Sequence, residues 1–189
     1  MIKELVVNMD NLELWNSVEK TDPKYTKSAN VRGNKITAIA PQRQVKNATE
    51  KFGPYGKGWG FKEIDFDFSM VPVNNVIIFK GLFFYPGGQF PIVSSIAAYM
   101  DKAQKMPDQD FAKKVETDAL TKALSKLGFN ADVFMGMYDD HKYVQMMNEE
   151  FNKPQPDATA QSWIDAIKAG TNTLAELDEQ YGNYIKQFL

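Results

Sequence analysis

The chain has 189 residues, of which 43% are hydrophobic and 24% are charged, a composition typical of a folded protein with one sizeable core. It contains no cysteine, which excludes disulfides, thiolate metal sites and cysteine nucleophiles. No apolar run approaches the roughly 20 residues that span a membrane, and the opening residues 1–5 lack the pattern of a signal peptide. We therefore expect a cytoplasmic protein with no membrane partner.

The net charge of −2 conceals a strong polarity along the chain. Residues 20–62 contain ten bases and two acids, a net charge of +8, whereas residues 139–189 contain four bases and nine acids, a net charge of −5. This asymmetry is typical of a polyanion-binding body joined to an acidic appendage. By composition alone, an ordinary solvated surface is the favoured interpretation of the lysines.

The first third of the chain predicts two helices and a short strand. Apolar residues recur at helical spacing over residues 9–20, and the Asp-Pro pair at 22–23 ends that helix. Residues 35–39 are predicted to form a brief strand. Pro41 suits the first turn of a helix over 41–52.

The helix over 41–52 is predicted to be amphipathic. Its inward residues should be Val45, Ala48 and Phe52, which leaves its bases for other faces. The glycine-rich residues 53–58 form a turn that ends the helix.

Three strands are predicted next, over residues 59–68, 76–85 and 89–97. In the first, a period of two puts Ile64, Phe66 and Phe68 on one face, and an opposite phase before Lys62 indicates a bulge or a change of buried face there. Short connections between the strands indicate an antiparallel meander.

The strongest helix is predicted over residues 112–127, where alanines, leucines and a valine recur every three or four residues. The order of these elements indicates an α+β fold with a β-β-β-α core. Prolines near residue 154 mark a linker, and residues 161–188 are predicted to form one or two short helices. The predicted organisation is thus a core over 1–152 and an acidic helical segment over 153–189.

Candidate functional groups are few and unspecific. Among the aromatic residues between the bases, Tyr55 and Trp59 lie beside flexible glycines and are the ones that could stack on a nucleobase. No phosphate-binding loop of the Gly-x-x-x-x-Gly-Lys-Ser/Thr type occurs, which disfavours chemistry driven by ATP. Asp65, Asp67 and Asp139 could be assembled into a magnesium-dependent nuclease, but solvated strand and turn positions are the favoured interpretation of these acids.

Two stretches together resemble the phage single-strand annealing proteins of the Erf and Sak type, which are related to the eukaryotic recombination mediator Rad-fifty-two. The first runs from Arg43 to Trp59, with the sequence RQVKNATEKFGPYGKGW. The second runs from Thr117 to Gly128, with the sequence TDALTKALSKLG, and continues as NADVF at 130–134. The resemblance covers about residues 10–145.

The resemblance implies ATP-independent binding of single-stranded DNA and annealing of complementary strands in phage-type recombination, with no catalysis, cofactor or metal. It further implies a homo-oligomeric ring or filament, and a location in the cytoplasm of a bacterial host. A single-strand binding protein or an exonuclease could cooperate with it. A passive module that binds and protects single strands is the alternative, and the nuclease is a less favoured one.

The resemblance also implies which residues lie near DNA. Arg43 matches an arginine that lies near DNA in the family, and Lys122 matches a basic position in the long helix, with Lys126 close by. Thr121 and Ser125 replace further bases of the Rad-fifty-two pattern, so other lysines would have to compensate. The complete set of predicted DNA-binding residues is Lys35, Arg43, Lys46, Lys57, Lys113, Lys114, Lys122 and Lys126.

Overall fold

The computed structural model describes residues 9–31, 33–154 and 156–189. Arg32, one base of the basic segment, and residues 1–5 lie outside the described residues. The strands are β1 (Thr26–Val31), β2 (Asn34–Ile39), β3 (Gly60–Asp67), β4 (Val76–Tyr85) and β5 (Gly88–Ala97). The α-helices are α1 (Glu13–Val18), α2 (Pro41–Phe52), α3 (Val71–Asn74), α4 (Phe111–Lys126), α5 (Ala131–Phe134), α6 (His141–Phe151), α7 (Ala158–Lys168) and α8 (Glu179–Lys186). Four short 3-10 helices cover Met9–Leu12, Pro23–Tyr25, Met137–Asp139 and Leu174–Glu176.

The chain divides into two compact units, Met1–Asn148 and Glu149–Leu189. The boundary expected from the sequence lies between 152 and 153, after the end of α6. The first unit contains both β-sheets and the helices up to most of α6. The second contains α7 and α8.

The core of the first unit lies between a three-stranded sheet and α4. The strands are antiparallel in the order β3-β4-β5, which confirms the predicted α+β fold with a meander packed on the long helix. Phe79 and Phe83 of β4 are fully buried in one cluster with Ala119 and Ala123 of α4. Small residues on the helix let it approach the aromatic face of the sheet, and each fully buried phenylalanine contributes about 2 to 3 kcal/mol.

A bulge in β3 changes which of its residues are buried. The register of β3 on β4 shifts between Lys62 and Asp65, which confirms the predicted irregularity. Phe61 and Phe66 therefore both pack against the core. The period of two placed Ile64, Phe66 and Phe68 on one face, but of these only Phe66 packs against the core. Ile64, which lies within the register shift, is 47% exposed, and Phe68, directly after the end of the strand, is 51% exposed.

A second, two-stranded sheet precedes α2. β1 and β2 pair as an antiparallel hairpin from Thr26 opposite Ile39 to Val31 opposite Asn34. The sequence predicted β2 but not β1, because TKSANV has no alternation of apolar and polar residues. The backbone N–H of Ala40 donates to the Tyr25 carbonyl oxygen at 3.2 Å and joins the base of the hairpin to the start of α2.

The glycine-rich turn after α2 is held by packing. Trp59 is fully buried and its indole N–H donates to the Gly53 carbonyl oxygen at 2.9 Å. A Cβ atom at Gly58 would lie 1.9 Å from the Phe52 carbonyl oxygen, so no larger residue fits without moving the backbone. The glycines and the tryptophan of the first motif thus form a tight turn that is packed against the core.

The second motif also has a packing role. Gly128 ends α4 with a φ of +94°, and a Cβ atom there would lie 2.9 Å from the Cα atom of Trp15. The residue must therefore be glycine both for its backbone conformation and for the close approach of α1. Backbone hydrogen bonds from Asn130 to Val18 at 3.0 Å and from Asp132 to Glu19 at 3.3 Å continue this contact.

A buried carboxylate fixes the segment that follows α1. Asp132 is 2% exposed and accepts hydrogen bonds from the Thr21 backbone N–H at 2.7 Å and the Thr21 hydroxyl at 2.6 Å. The Tyr143 hydroxyl donates to the same carboxylate at 2.9 Å, and the Val133 N–H donates to it at 2.8 Å. Four donors satisfy the buried charge.

Tyr138 adds a further hydrogen bond to this network. Its hydroxyl donates to the Thr21 carbonyl oxygen. Burial, together with the nearby Asp132 carboxylate, raises the pKa of Tyr138 above its ordinary value. The phenol therefore remains a hydrogen-bond donor throughout the physiological pH range.

The second unit has a small core of its own. Ala160 and Ile164 of α7 and Ile185 of α8 are buried, and partly buried aromatic residues pack around them. Asp157 and Asp178 cap the two helices by accepting from the backbone N–H groups of Ala160 and Tyr181. α8 lies within the predicted span of 161–188, and α7 does so apart from its first three residues.

No helix in the described parts of the chain is both long and apolar enough to cross a membrane.

The Asp132 network predicts a strong effect on stability. We expect Asp132→Ala to lower the free energy of unfolding by about 3 kcal/mol, because it leaves several buried donors without an acceptor. Asp139→Ala, which removes an exposed carboxylate seven residues away, should change it by less than about 0.5 kcal/mol. Urea unfolding followed by circular dichroism measures both. Equal midpoints for the two variants would contradict the structural role of Asp132.

Candidate nucleic-acid interface

A basic cleft lies between the end of α1 and one face of α2. It has a volume of about 270 Å³, and its charged residues are Lys20, Arg43, Glu50 and Lys51. Arg43 and Lys51 lie two helical turns apart on α2 and therefore share a line along its surface, with Asn47 between them. The cleft thus presents three bases and an amide against one acid, an arrangement that suits a phosphate backbone.

Two basic side chains contact the ring of Tyr25 near the start of α2. The Arg43 guanidinium carbon lies 4.2 Å from the centroid of the ring, and the Lys24 ammonium lies 4.9 Å from it. Lys24 also pairs with Asp22 at 2.6 Å. A guanidinium has five N–H donors, and a contact with the face of a ring does not use them as hydrogen bonds, so they can donate to a phosphate.

The acid within the cleft is partly neutralised from outside it. Glu50 lies 3.6 Å from Lys46, one turn away on α2. Lys46 is one of the predicted DNA-binding residues, and the structure gives it this contact on an exposed part of the helix. The pair is worth a few tenths of a kcal/mol.

Three other predicted DNA-binding residues form ion pairs around α4. Lys113 lies 3.6 Å from Asp110, Lys114 lies 2.8 Å from Asp108, and Lys122 lies 2.8 Å from Asp118. The Lys114 ammonium contacts both oxygens of Asp108, and these hydrogen bonds hold the pKa of Asp108 below its ordinary value. A phosphate would have to compete with these carboxylates for the lysines.

Lys122 is the most strongly engaged of these residues. Besides its ion pair with Asp118, it donates to the Ser94 hydroxyl at 3.0 Å, and that hydroxyl donates to Asp118. The three groups tie α4 to β5. Because the Ser94 proton is given to a carboxylate and the lysine is a donor, the arrangement is not that of a serine nucleophile with a lysine base.

The structure does not gather the remaining predicted residues at one site. Lys35 lies on the exposed hairpin, Lys57 in the turn after α2, and Lys126 at the end of α4. All three side chains are exposed. Arg43 and Lys122, the two residues matched through the resemblance, contact different neighbours, since the first stacks on Tyr25 and the second pairs with Asp118 and Ser94.

The two aromatic candidates differ in accessibility. Trp59 is fully buried, so the expectation that it could stack on a nucleobase is wrong. Tyr55 is 45% exposed and packs edge-on against Trp59 with ring centroids 5.0 Å apart. Burial and the nearby Glu116 raise the pKa of Tyr55, so its hydroxyl stays protonated at neutral pH.

The acids considered for a nuclease are not brought together as a metal site. In the described part of the chain, no group of three or more histidine, cysteine, aspartate or glutamate side chains is placed to hold a metal ion. Asp67 pairs with Lys80 at 2.8 Å, and the hydrogen bonds from Lys80 and Ser69 hold the pKa of Asp67 well below its ordinary value. Asp139 ends the 3-10 helix Met137–Asp139 beside β2, whereas Asp67 lies on β3 of the three-stranded sheet.

Lys20 and Lys51 were not among the residues predicted to bind DNA. A signal for Lys51 was present in the sequence, because residues 43, 47 and 51 recur at fourth positions on a helix. Lys20 gave no comparable signal. Its place in the cleft depends on the contact between the end of α1 and the segment after α4.

No protein-family model matches the chain, and a search of curated proteins gives no match either.

The ion pair between Lys114 and Asp108 predicts a pH dependence. A carboxyl with a lowered pKa in the folded state adds stability above its unfolded pKa of about 4, and this contribution is lost as the pH falls through the folded value. Lys114→Met should therefore lower the thermal midpoint at pH 7, and the difference from the wild type should close below pH 4. Lys102→Met, at an exposed position, is the matched control. A difference that is the same at pH 7 and pH 3 would contradict this interpretation.

Proposed function

We propose that this chain binds single-stranded DNA and anneals complementary strands without ATP, as a member of the Erf and Sak type of annealing proteins. The observation that carries the binding proposal is the cleft in which Lys20, Arg43 and Lys51 converge. The annealing proposal rests on the resemblance of the two motifs at 43–59 and 117–134.

The cleft suits phosphates better than a small organic ligand. Its charged side chains give it a formal charge of +2 before Lys46 is counted, and lysine and arginine release counterions when they neutralise phosphates. The stacking of Arg43 on Tyr25 fixes the guanidinium, so less side-chain freedom is lost when it binds. Such contacts recognise the phosphate backbone and do not depend on the base sequence. An annealing protein requires this independence, because it must act on strands of any sequence.

Annealing needs the base edges of the bound strand to remain accessible. A strand held by its phosphates at the edge of α2 can present its bases to a second strand, and base pairing then supplies the specificity. A passive binding module would hold the strand equally well and leave the pairing rate unchanged. The rate of pairing of complementary oligonucleotides separates the two functions.

We also propose that the active form is a homo-oligomeric ring or filament in a bacterial cytoplasm. A basic cleft on one subunit contacts only a few phosphates, whereas repeated clefts would hold a long strand. A single-strand binding protein or an exonuclease is a candidate partner. Electron microscopy with and without single-stranded DNA reports the assembly and its dependence on DNA.

The cleft predicts a change in the salt dependence of binding. The plot of log K against log salt has a negative slope, and replacing both Arg43 and Lys51 with glutamine should make it shallower by about 1.4. Each lost phosphate contact on a single strand contributes about 0.7 to the steepness of this slope. Fluorescence anisotropy with a labelled thymidine oligonucleotide over a salt series measures this slope. The same variant should slow annealing of dye- and quencher-labelled complementary strands.

The matched control replaces Lys102 and Lys105 with glutamine; both are exposed lysines in the segment between β5 and α4. It removes the same charge and should leave both slope and annealing rate unchanged. If the two double variants lose the same amount of salt slope and annealing rate, the binding site does not lie in the cleft. A wild-type protein that binds DNA but does not accelerate pairing would be a passive module.

A further inference from the structure

An exposed aromatic ring stands at the end of an otherwise buried helical turn. Ala131, Asp132 and Val133 of α5 are all buried, whereas Phe134 is 49% exposed. The hydrogen bonds of Asp132 fix this turn on both sides, so the ring is carried by a rigid part of the fold. Exposing part of a phenylalanine forgoes hydrophobic stabilisation, and an exposed ring in a recess is a feature of binding sites.

The ring lines an apolar recess against the hairpin. The recess has a volume of about 360 Å³ and is formed by β2 from Ile36 to Ile39 together with Thr121, Val133 and Phe134. Ile36, which also lines the recess, is 42% exposed. The volume and the mainly apolar walls are those of a site for one flat organic group.

A basic recess adjoins the apolar one. It has a volume of about 420 Å³ and contains Lys27, Lys35 and His141. The two recesses share Ile36, Thr37 and Asp139 on their walls, so they lie side by side. Lys27 and Lys35 have exposed side chains on the hairpin, and Asp139 is the acid that would repel an anion from the shared wall.

We propose that the apolar recess takes a nucleobase of single-stranded DNA, which stacks on Phe134 and contacts Ile36, while Lys27 and Lys35 contact the adjoining phosphates. The inference rests on the proposed function and extends the interface from the cleft at α2 to the hairpin. Charge complementarity selects this occupant, because an apolar recess beside two lysines matches a base joined to a phosphate. Stacking uses the face of a base and leaves its pairing edge free, which is compatible with annealing.

The test compares two oligonucleotides across four variants. The oligonucleotides are a thymidine strand and an abasic strand of the same length, which carries the phosphates without bases. Phe134→Leu keeps an apolar side chain and should weaken binding of the thymidine strand by about tenfold while leaving the abasic strand unchanged. Phe134→Tyr keeps an aromatic ring and should bind the thymidine strand as tightly as the wild type does.

Lys35→Gln serves as the phosphate control and should weaken binding of both strands. Met135→Leu, at the neighbouring exposed position, should change neither. Affinities are measured by fluorescence anisotropy, and the mass of each variant is measured by light scattering.

Several results would overturn the inference. Equal wild-type affinities for the two strands, or equal losses for both strands in Phe134→Leu, would show that no base occupies the recess. A lower oligomer mass in Phe134→Leu would assign the recess to self-association. Failure of the wild type to bind either strand would refute the proposed function itself, whereas equally tight binding of the two strands would refute only the base site.

Discussion

The buried carboxylate of Asp132 is the interaction on which the proposed interface depends. It binds Thr21 through both the backbone N–H and the hydroxyl, and Thr21 directly follows Lys20, one of the three bases of the cleft. The same carboxylate fixes α5, which carries Phe134. One buried charge thus positions a basic residue on one side and an aromatic ring on the other. A carboxylate is suited to this role because it accepts several strong hydrogen bonds at once, whereas an uncompensated charge at this depth would be destabilising.

The two motifs that resemble annealing proteins have mainly structural explanations. Gly58 and Trp59 belong to the tight turn that is packed against the core. Gly128 has no side chain, which lets Trp15 pack closely against the end of α4. Asp132 and Asn130 hold Thr21 in place. These residues would be required in any protein with this arrangement of α1, α2 and α4, whatever it binds. These motif residues are thus accounted for by packing, and the proposal of DNA binding depends on the bases that this fold brings together.

The sequence predicted the parts of the fold that have strong periodicity. The meander β3-β4-β5 and the helix α4 were identified because apolar residues recur at the spacing of strands and helices. β1 was missed because its residues are polar, and the outward turn of Ile64 was not predicted because the register after a bulge depends on the partner strand. The residues of the candidate interface were harder to predict, since periodicity does not show which acids will pair with Lys113, Lys114 and Lys122. The place of Lys20 depends on a hydrogen bond across 111 residues of sequence, between Thr21 and Asp132.

We propose that single-stranded DNA lies along the cleft formed by the end of α1 and one face of α2. Hydrogen exchange of the full chain, measured by mass spectrometry with and without a thymidine oligonucleotide, tests this claim directly. Bound DNA should slow exchange in peptides that cover residues 17–25 and 41–52 and leave peptides of α7 and α8 unchanged. Protection confined to the outer face of the sheet β3-β4-β5 or to residues 149–189, with no change in α2, would contradict it.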